Sequence, residues 1–434
     1  MKCDALKMSF IAFVLSSVFA APVSAAELAL QLETSLRTDS NPFKFYDNPP
    51  PGNPNPGPVQ QDLRAGDSVT AASLRAGVLI PLTSDQTRLI LTGSLGSVHY
   101  KDYSQLNHRE GAADATLDVS VVNNMLLQAH TGTGKKLFQY INGSLTDRDL
   151  VTSRQADLNA YWKLMNDFQF NAGLYRNQTN YELAVNQLYN NREKGGQFFL
   201  RYTSPTGSSV QAGIRQGEAQ YTDRDVRQIA DLDQGYKERE LAADIEWLYS
   251  TKTIFSGHLG KIRREYHFDD SRDTYLTNVV LRGTYHFSPS LRFDLQVFNR
   301  PYSLIDPAIQ YVTATGQRLD LSWTYSPKWK MNLSYLHQNS EQQLIDRIIR
   351  ARGYSTRNEK LQRFGAGAVW QFDPRWRVML DGIAERSNRD EDGLRQSQRT
   401  ISLALEYTFE NQIGSADKLR LRRYQQHYST AEGQ

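Results

Sequence analysis

Few residues in this 434-residue chain stand at a spacing that suits covalent chemistry. Gly132-Thr133-Gly134-Lys135-Lys136 hints at a phosphate loop, but the upstream Gly and downstream Ser/Thr of that motif are missing. The stretch also reads as part of a strand rather than as the start of a helix. The eight histidines are scattered, with no pair at metal-ligand spacing. A hydrolase would need a Ser or a water activated by His and an orienting acid, and nothing local supplies that set. No catalytic, cofactor or metal residue is therefore assigned, and His286 reads as a hydrogen-bonded polar residue. What is abundant is charge of both signs at alternate positions. Arg75, Arg201, Arg282, Arg292, Arg300 and Arg318 share a parity with Asp244, Asp294, Asp320 and Asp381. Tyr161 and Phe298 share it too. Guanidinium and carboxylate groups so placed can form ion-pair ladders that brace a wall. They can also hydrogen-bond a polar solute, with the two rings as stacking platforms.

The elements that carry these residues follow from turns. Short turn signals recur at Thr83-Ser84-Asp85-Gln86, Asn123-Asn124, Asn166-Asp167, Ser204-Pro205-Thr206-Gly207, Ser250-Thr251-Lys252, Ser288-Pro289-Ser290, Ser326-Pro327-Lys328 and Asp373-Pro374-Arg375. Pro fixes φ, and Asn, Asp and Ser bond their own backbone, so each site reverses a strand tightly. Both flanks of every turn alternate with period two. Tyr275, Thr277, Val279, Leu281, Tyr285 and Phe287 face one way, against Asn278, Arg282, Thr284 and His286. Eight hairpins, a first strand at Glu27–Arg37 and a last at Gln398–Glu410 make eighteen strands. The opposite connections, such as Asp102–Arg109, Thr222–Gly235, Gln343–Tyr354 and Arg389–Gln396, are longer and polar.

A repeat near 40 residues also suits a β-propeller, but blades place four short strands in that length. Here alternation runs for about twelve residues per strand, near the span of a tilted membrane strand. Mean hydropathy is −0.57, so no bundle of apolar helices is present, whereas alternating strands keep the average low. The 23 Tyr, 18 Phe and 6 Trp exclude a disordered chain. A net charge of +3 removes the basic footprint of a nucleic-acid binder. The fold expected is an all-β, antiparallel, up-and-down transmembrane β-barrel. The six tryptophans, Trp162, Trp247, Trp323, Trp329, Trp370 and Trp376, all lie within four residues of a short turn. Rings with an apolar body and a polar edge favour the headgroup layer, so these form a girdle at one rim.

Residues 1–25 read as a signal peptide, with Lys2 and Lys7 ahead of an apolar core and Val23-Ser24-Ala25 at the cleavage site. Cys3, the one cysteine, falls inside it without a lipobox, so the mature chain has no thiol. Residues 26–411 are expected to form the barrel. Residues 38–67, with seven prolines, are its first long-rim loop, either solvated or folded inward as a constriction. Residues 412–434 are a basic tail carrying Lys418, Arg420, Arg422 and Arg423. An even strand count returns both termini to one side, expected to be the periplasm.

The opening Thr38-Asp39-Ser40-Asn41-Pro42-Phe43-Lys44 and the turns Tyr285-His286-Phe287-Ser288-Pro289 and Trp370-Gln371-Phe372-Asp373-Pro374 resemble one group of Gram-negative barrels. That group is the β-barrel porin family containing the EpsL-type exopolysaccharide-biosynthesis outer-membrane proteins. The resemblance implies an export port for exopolysaccharide, a passive conduit with no energy source of its own. Its implied partners are the polysaccharide, outer-membrane lipid and the barrel assembly machinery; the basic tail reads either as a solvated extension or as a docking peptide for a periplasmic polysaccharide export protein. Such barrels end on the aromatic of the last strand, whereas Phe409 here is followed by 25 residues. Two other readings stand beside it. One is a general or sugar-specific diffusion porin; the other is a barrel enzyme acting on lipid or polymer.

Overall fold

The computed structural model describes residues 26–47, 66–83, 87–122, 124–138, 147–302, 309–345, 349, 355–390, 393–419 and 421. The expected signal peptide and six of the seven loop prolines lie outside these residues. Alternation and turn chemistry produce strands β1 (Glu27–Asp39), β2 (Asp67–Pro81), β3 (Arg88–Tyr100), β4 (His108–Val122), β5 (Met125–Leu137) and β6 (Leu150–Lys163). Then come β7 (Phe168–Tyr181), β8 (Asn191–Thr203), β9 (Ser209–Tyr221), β10 (Gly235–Leu248), β11 (Thr253–Tyr266) and β12 (Thr274–Ser288). The series ends with β13 (Leu291–Tyr302), β14 (Ile309–Ser326), β15 (Trp329–Leu344), β16 (Thr356–Trp370), β17 (Trp376–Arg389) and β18 (Arg395–Glu410). Each strand pairs antiparallel with its chain neighbours, and β18 returns to β1 with Leu36 opposite Leu403. The sheet is a closed 18-stranded barrel with no free edge, which satisfies every wall N–H and C=O within lipid.

Eight hairpins close at one rim, at the places where turns were expected; residues 84–86 and 123 of the first two turns lie outside the described residues. At Ser204-Pro205-Thr206-Gly207 the Gly207 N–H donates to the Ser204 carbonyl at 2.9 Å, with Gly207 at φ +87°. At the other rim, three loops repeat one construction. Buried Asp67, Asp149 and Asp233 each accept backbone N–H groups from a neighbouring loop: from Tyr103, Leu183 and Asp269, at 3.0, 2.8 and 3.0 Å. The strands feeding those loops end on Tyr100, Tyr181 and Tyr266, whose N–H groups donate to Asn107, Asn190 and Asp273. Each loop holds a short 3-10 turn, at Ser104–Leu106, Ala184–Tyr189 and Asp270–Arg272. Spacings of 82 to 84 residues between the aspartates make this a repeat of two hairpins. A buried carboxylate that accepts several N–H groups fixes loop backbone which would otherwise have no partner.

Two helices complete the described chain. Helix α1 (Val226–Leu232) sits in the loop before β10 and carries a capping box from Asp225 and Gln228. Helix α2 (Ser415–Lys418) follows β18.

Candidate functional site: the barrel lumen

Register decides which side chains face the bore. Large apolar groups such as Leu32, Leu174, Leu241, Leu295 and Leu403 are exposed on one face. In a closed barrel that exposed apolar face is the outer one, so the alternate positions line the lumen. Trp162, Trp247, Trp323, Trp329, Trp370 and Trp376 all fall on the outer face at the short-turn rim, and Trp329 stacks on Trp370 at 5.7 Å. The registers put Arg75, Arg201, Arg282, Arg292, Arg300, Arg318, Asp244, Asp294, Asp320, Asp381, Tyr161 and Phe298 on the inner face.

Five of these twelve inner residues belong to two clusters. Arg292 and Arg318 contact Asp294 and Asp320 at 2.7 and 2.8 Å, and Asp294 stands directly opposite Asp320. Further round the same wall, on β9–β11, Gln211 donates to Asp244 at 2.8 Å, while His258 lies 2.6 Å from Asp244 and 3.2 Å from Glu240. Arg215 closes that chain on Glu240 at 3.0 Å. Tyr161 on β6 and Phe298 on β13 stand seven strands apart around the wall and make no common platform. Among the described residues, no group of three or more His, Cys, Asp and Glu is placed to hold a metal ion.

The signs are segregated around the circumference. On β4–β11 the inner face carries Glu110, Asp114, Asp118, Asp157, Glu193, Glu238, Glu240, Asp244 and Glu246. Their cationic neighbours there are Lys136, Lys163, Arg201, Arg215 and Arg264. On β12–β17 the ratio inverts. Arg282, Arg292, Arg300, Arg318, Lys330, Arg357, Arg363, Arg377 and Arg389 face Asp294, Asp320, Glu359, Asp381 and Glu385. The sequence parity exposed both signs; because strand order in an up-and-down barrel follows chain order, the same parity counted separately over the two stretches of chain is the signal that carries this arrangement.

Both mouths hold segments that sequence reasoning left open. Residues 40–47 fold into the long-loop mouth. Asn41 ties this knot, accepting from the Phe45 N–H at 2.9 Å and donating to the Phe45 and Ser397 carbonyls at 2.8 and 2.9 Å. Phe43 and Phe45 are thereby buried on the inward Val69, Val98 and Tyr100, with Tyr103 edge-on to Phe43 at 4.8 Å. Lys44, at φ +55°, reaches Glu385 on β17 at 3.0 Å. Arg389 lies over the Tyr46 ring at 5.3 Å, and burial pushes the Tyr46 hydroxyl above the usual phenol range against the pull of that guanidinium. Residues 48–65 lie outside the described chain.

At the short-turn mouth, α2 and Leu419 turn back into the bore. Ala416, Leu419 and Leu421 are buried against Ala29, with Leu79 and Ile90 packed alongside. Lys418 pairs with Glu27 at 2.6 Å, and Arg75 donates to the Leu421 carbonyl at 3.1 Å. Lys418 is thus engaged with the barrel's own wall; Arg420, Arg422 and Arg423 lie outside the described residues.

No family model and no curated protein matches the chain. Solved structures do. OpdQ of Pseudomonas aeruginosa is 11% identical over 89% of this chain and 98% of its own, with a TM-score of 0.50. OprD of the same organism is 11% identical over 89% and 96%, at 0.48. OccAB4 of Acinetobacter baumannii is 11% identical over 89% and 98%, at 0.47. The likeness is one of fold: an 18-stranded outer-membrane barrel of the porin type. The comparisons correct the expectation of exopolysaccharide export: they fit the general-porin alternative instead, and membership of the EpsL-type family is not supported. The Ser-Pro turns and rim aromatics behind that expectation are what lipid and tight reversal demand of any such barrel.

Proposed function

We propose that this chain is an outer-membrane diffusion channel for small polar solutes that carry both charges. The observation that carries the reading is the segregation of inner-face charge, acidic on β4–β11 and basic on β12–β17. Fixed charges of opposite sign across a bore orient a dipolar solute and hold it in place of bulk water. Eighteen strands enclose an aqueous lumen, and no nucleotide-binding motif supplies a driving force, so flux follows the gradient. Purified protein in liposomes tests this through swelling rates. A zwitterionic amino acid should enter several-fold faster than an uncharged polyol of equal size. Equal rates would remove the role given to the opposed walls, and absence of swelling with either solute would remove the channel.

A further inference from the structure

The outer face changes character partway along the strands. On β10, Trp247, Ile245, Ala243 and Leu241 run up from the short-turn rim, and then Arg239 and Lys237 follow. Arg239 stands eight residues from Trp247, a climb of about 20 Å at ~3.3 Å rise and ~40° tilt. That is close to the ~25 Å height of an apolar band. The same step occurs at Arg154 on β6, Arg176 on β7, Lys194 on β8 and Lys261 on β11. All of these cations are exposed. Below the step, the outer face of β6–β11 carries no Lys, Arg, Asp or Glu; above it, eight Lys and Arg stand against Glu218 and Glu265.

The register sharpens this asymmetry. Arg176 is directly opposite Lys194, and Arg239 is directly opposite Arg263. Cβ atoms so placed are about 5 Å apart, and like charges there repel. Lys194 is partly balanced by Glu218 at 3.2 Å and Arg263 by Glu265 at 2.7 Å. Arg154, Arg176 and Arg239 have no ion-pair partner among the described residues. A wall that sets cations face to face at the edge of its lipid band calls for anions from outside.

We propose that this belt binds the phosphorylated headgroups of anionic lipid, one phosphate bridging each opposed pair, Arg176 with Lys194 and Arg239 with Arg263. Guanidinium forks match phosphate oxygens, and the apolar band directly below receives the acyl chains. The binding fixes orientation: the long-loop rim lies in the leaflet that bears phosphorylated glycolipid, and both termini lie on the opposite, periplasmic side.

Native mass spectrometry of the full protein in nonionic detergent tests the site. The probes are a bis-phosphorylated glycolipid and phosphatidylcholine, supplied together. The wild type should retain the phosphorylated lipid about tenfold over the zwitterionic one, and lose that preference near 1 M salt, where the Debye length is ~3 Å. The quadruple variant Arg176→Gln/Lys194→Gln/Arg239→Gln/Arg263→Gln should lose the preference while channel conductance stays at the wild-type value. The short-turn variant Lys252→Gln/Lys328→Gln/Arg375→Gln should keep it. If the quadruple variant does not assemble, the pairs Arg176→Gln/Lys194→Gln and Arg239→Gln/Arg263→Gln are read separately, each expected to remove about half of the retained lipid. Equal retention by wild type and belt variants, or equal loss in the short-turn variant, would overturn the proposal.

Discussion

Substituting Leu419 should open the short-turn mouth without harming the barrel. Leu419 is 4% exposed and rests on the glycine at position 77, where a Cβ would meet its Cδ1 at 3.1 Å, its Cβ at 3.2 Å and its Cδ2 at 3.3 Å. Truncating so enclosed a leucine to alanine costs about 3 kcal/mol, inside the ~2–5 kcal/mol range for buried leucines. At 1.4 kcal/mol per factor of ten, that moves the docked-to-free ratio of residues 412–421 by about 150-fold. Leu419→Asp adds a carboxylate to an apolar niche that already lies near Glu27 and Glu410, so its effect should be larger. The wall of β1–β18 is untouched by either change. Single-channel recording should therefore show a raised conductance, and limited proteolysis should cut after Asn411 while the barrel stays heat-modifiable on semi-native gels. Gly77→Leu attacks the same contact from the wall and should give the same two readouts. Wild-type conductance and wild-type proteolysis in both Leu419→Asp and Gly77→Leu would refute the seating of the C-terminal segment in the bore.

Leu405→Arg, on the outer face of β18, should cost about 2–4 kcal/mol and lower the yield of the heat-modifiable form, whereas Arg318→Ala on the inner face should assemble normally; equal tolerance would mean the assigned faces are reversed. Phe43→Ala empties a fully buried site and should loosen residues 40–47 by about 3–5 kcal/mol, seen as faster amide exchange at Asn41–Tyr46 with exchange of the β1 backbone unchanged. Glu240→Gln leaves His258 and Arg215 with one fewer charged partner and should raise anion permeability relative to cation permeability, measured as a shift in reversal potential. An unshifted potential would remove this network from the conduction path.

The strands were legible because two local signals agree. Alternation through Leu291, Phe293, Leu295 and Val297 sets the face, and Pro289-Ser290 sets where the chain reverses, so register follows from turn length. Trp162 to Trp376 marked one rim for the same reason: an indole seeks the interface whatever the barrel carries. The inserted segments were not legible, because they depend on pairs such as Phe43 with Tyr103 and Leu419 with Gly77 that no local period links. A trace existed in parity. Val69, Val98, Leu79 and Ile90 are apolar at positions that a bare aqueous lumen would make polar. The chain from Gln211 through Asp244, His258 and Glu240 to Arg215 became visible only once β9, β10 and β11 were in register. The cargo was misread for a related reason. Asp39 and Asn41 hold loop backbone, with Gln398 donating to Asp39 at 2.9 Å, so the motif that suggested polysaccharide export reports a fold constraint instead.

Reversal potential across a planar bilayer under a salt gradient tests the central claim most directly. Fourteen cations and fourteen carboxylates share the inner face of β4–β17, so wild-type channels should open in discrete steps with weak selectivity between small cations and anions. Replacing Arg282, Arg292 and Arg318 with glutamine leaves eleven cations against fourteen carboxylates on that face and should shift the channel toward cation selectivity. An unchanged reversal potential in that triple variant, or wild-type protein that inserts but never conducts, would contradict the account.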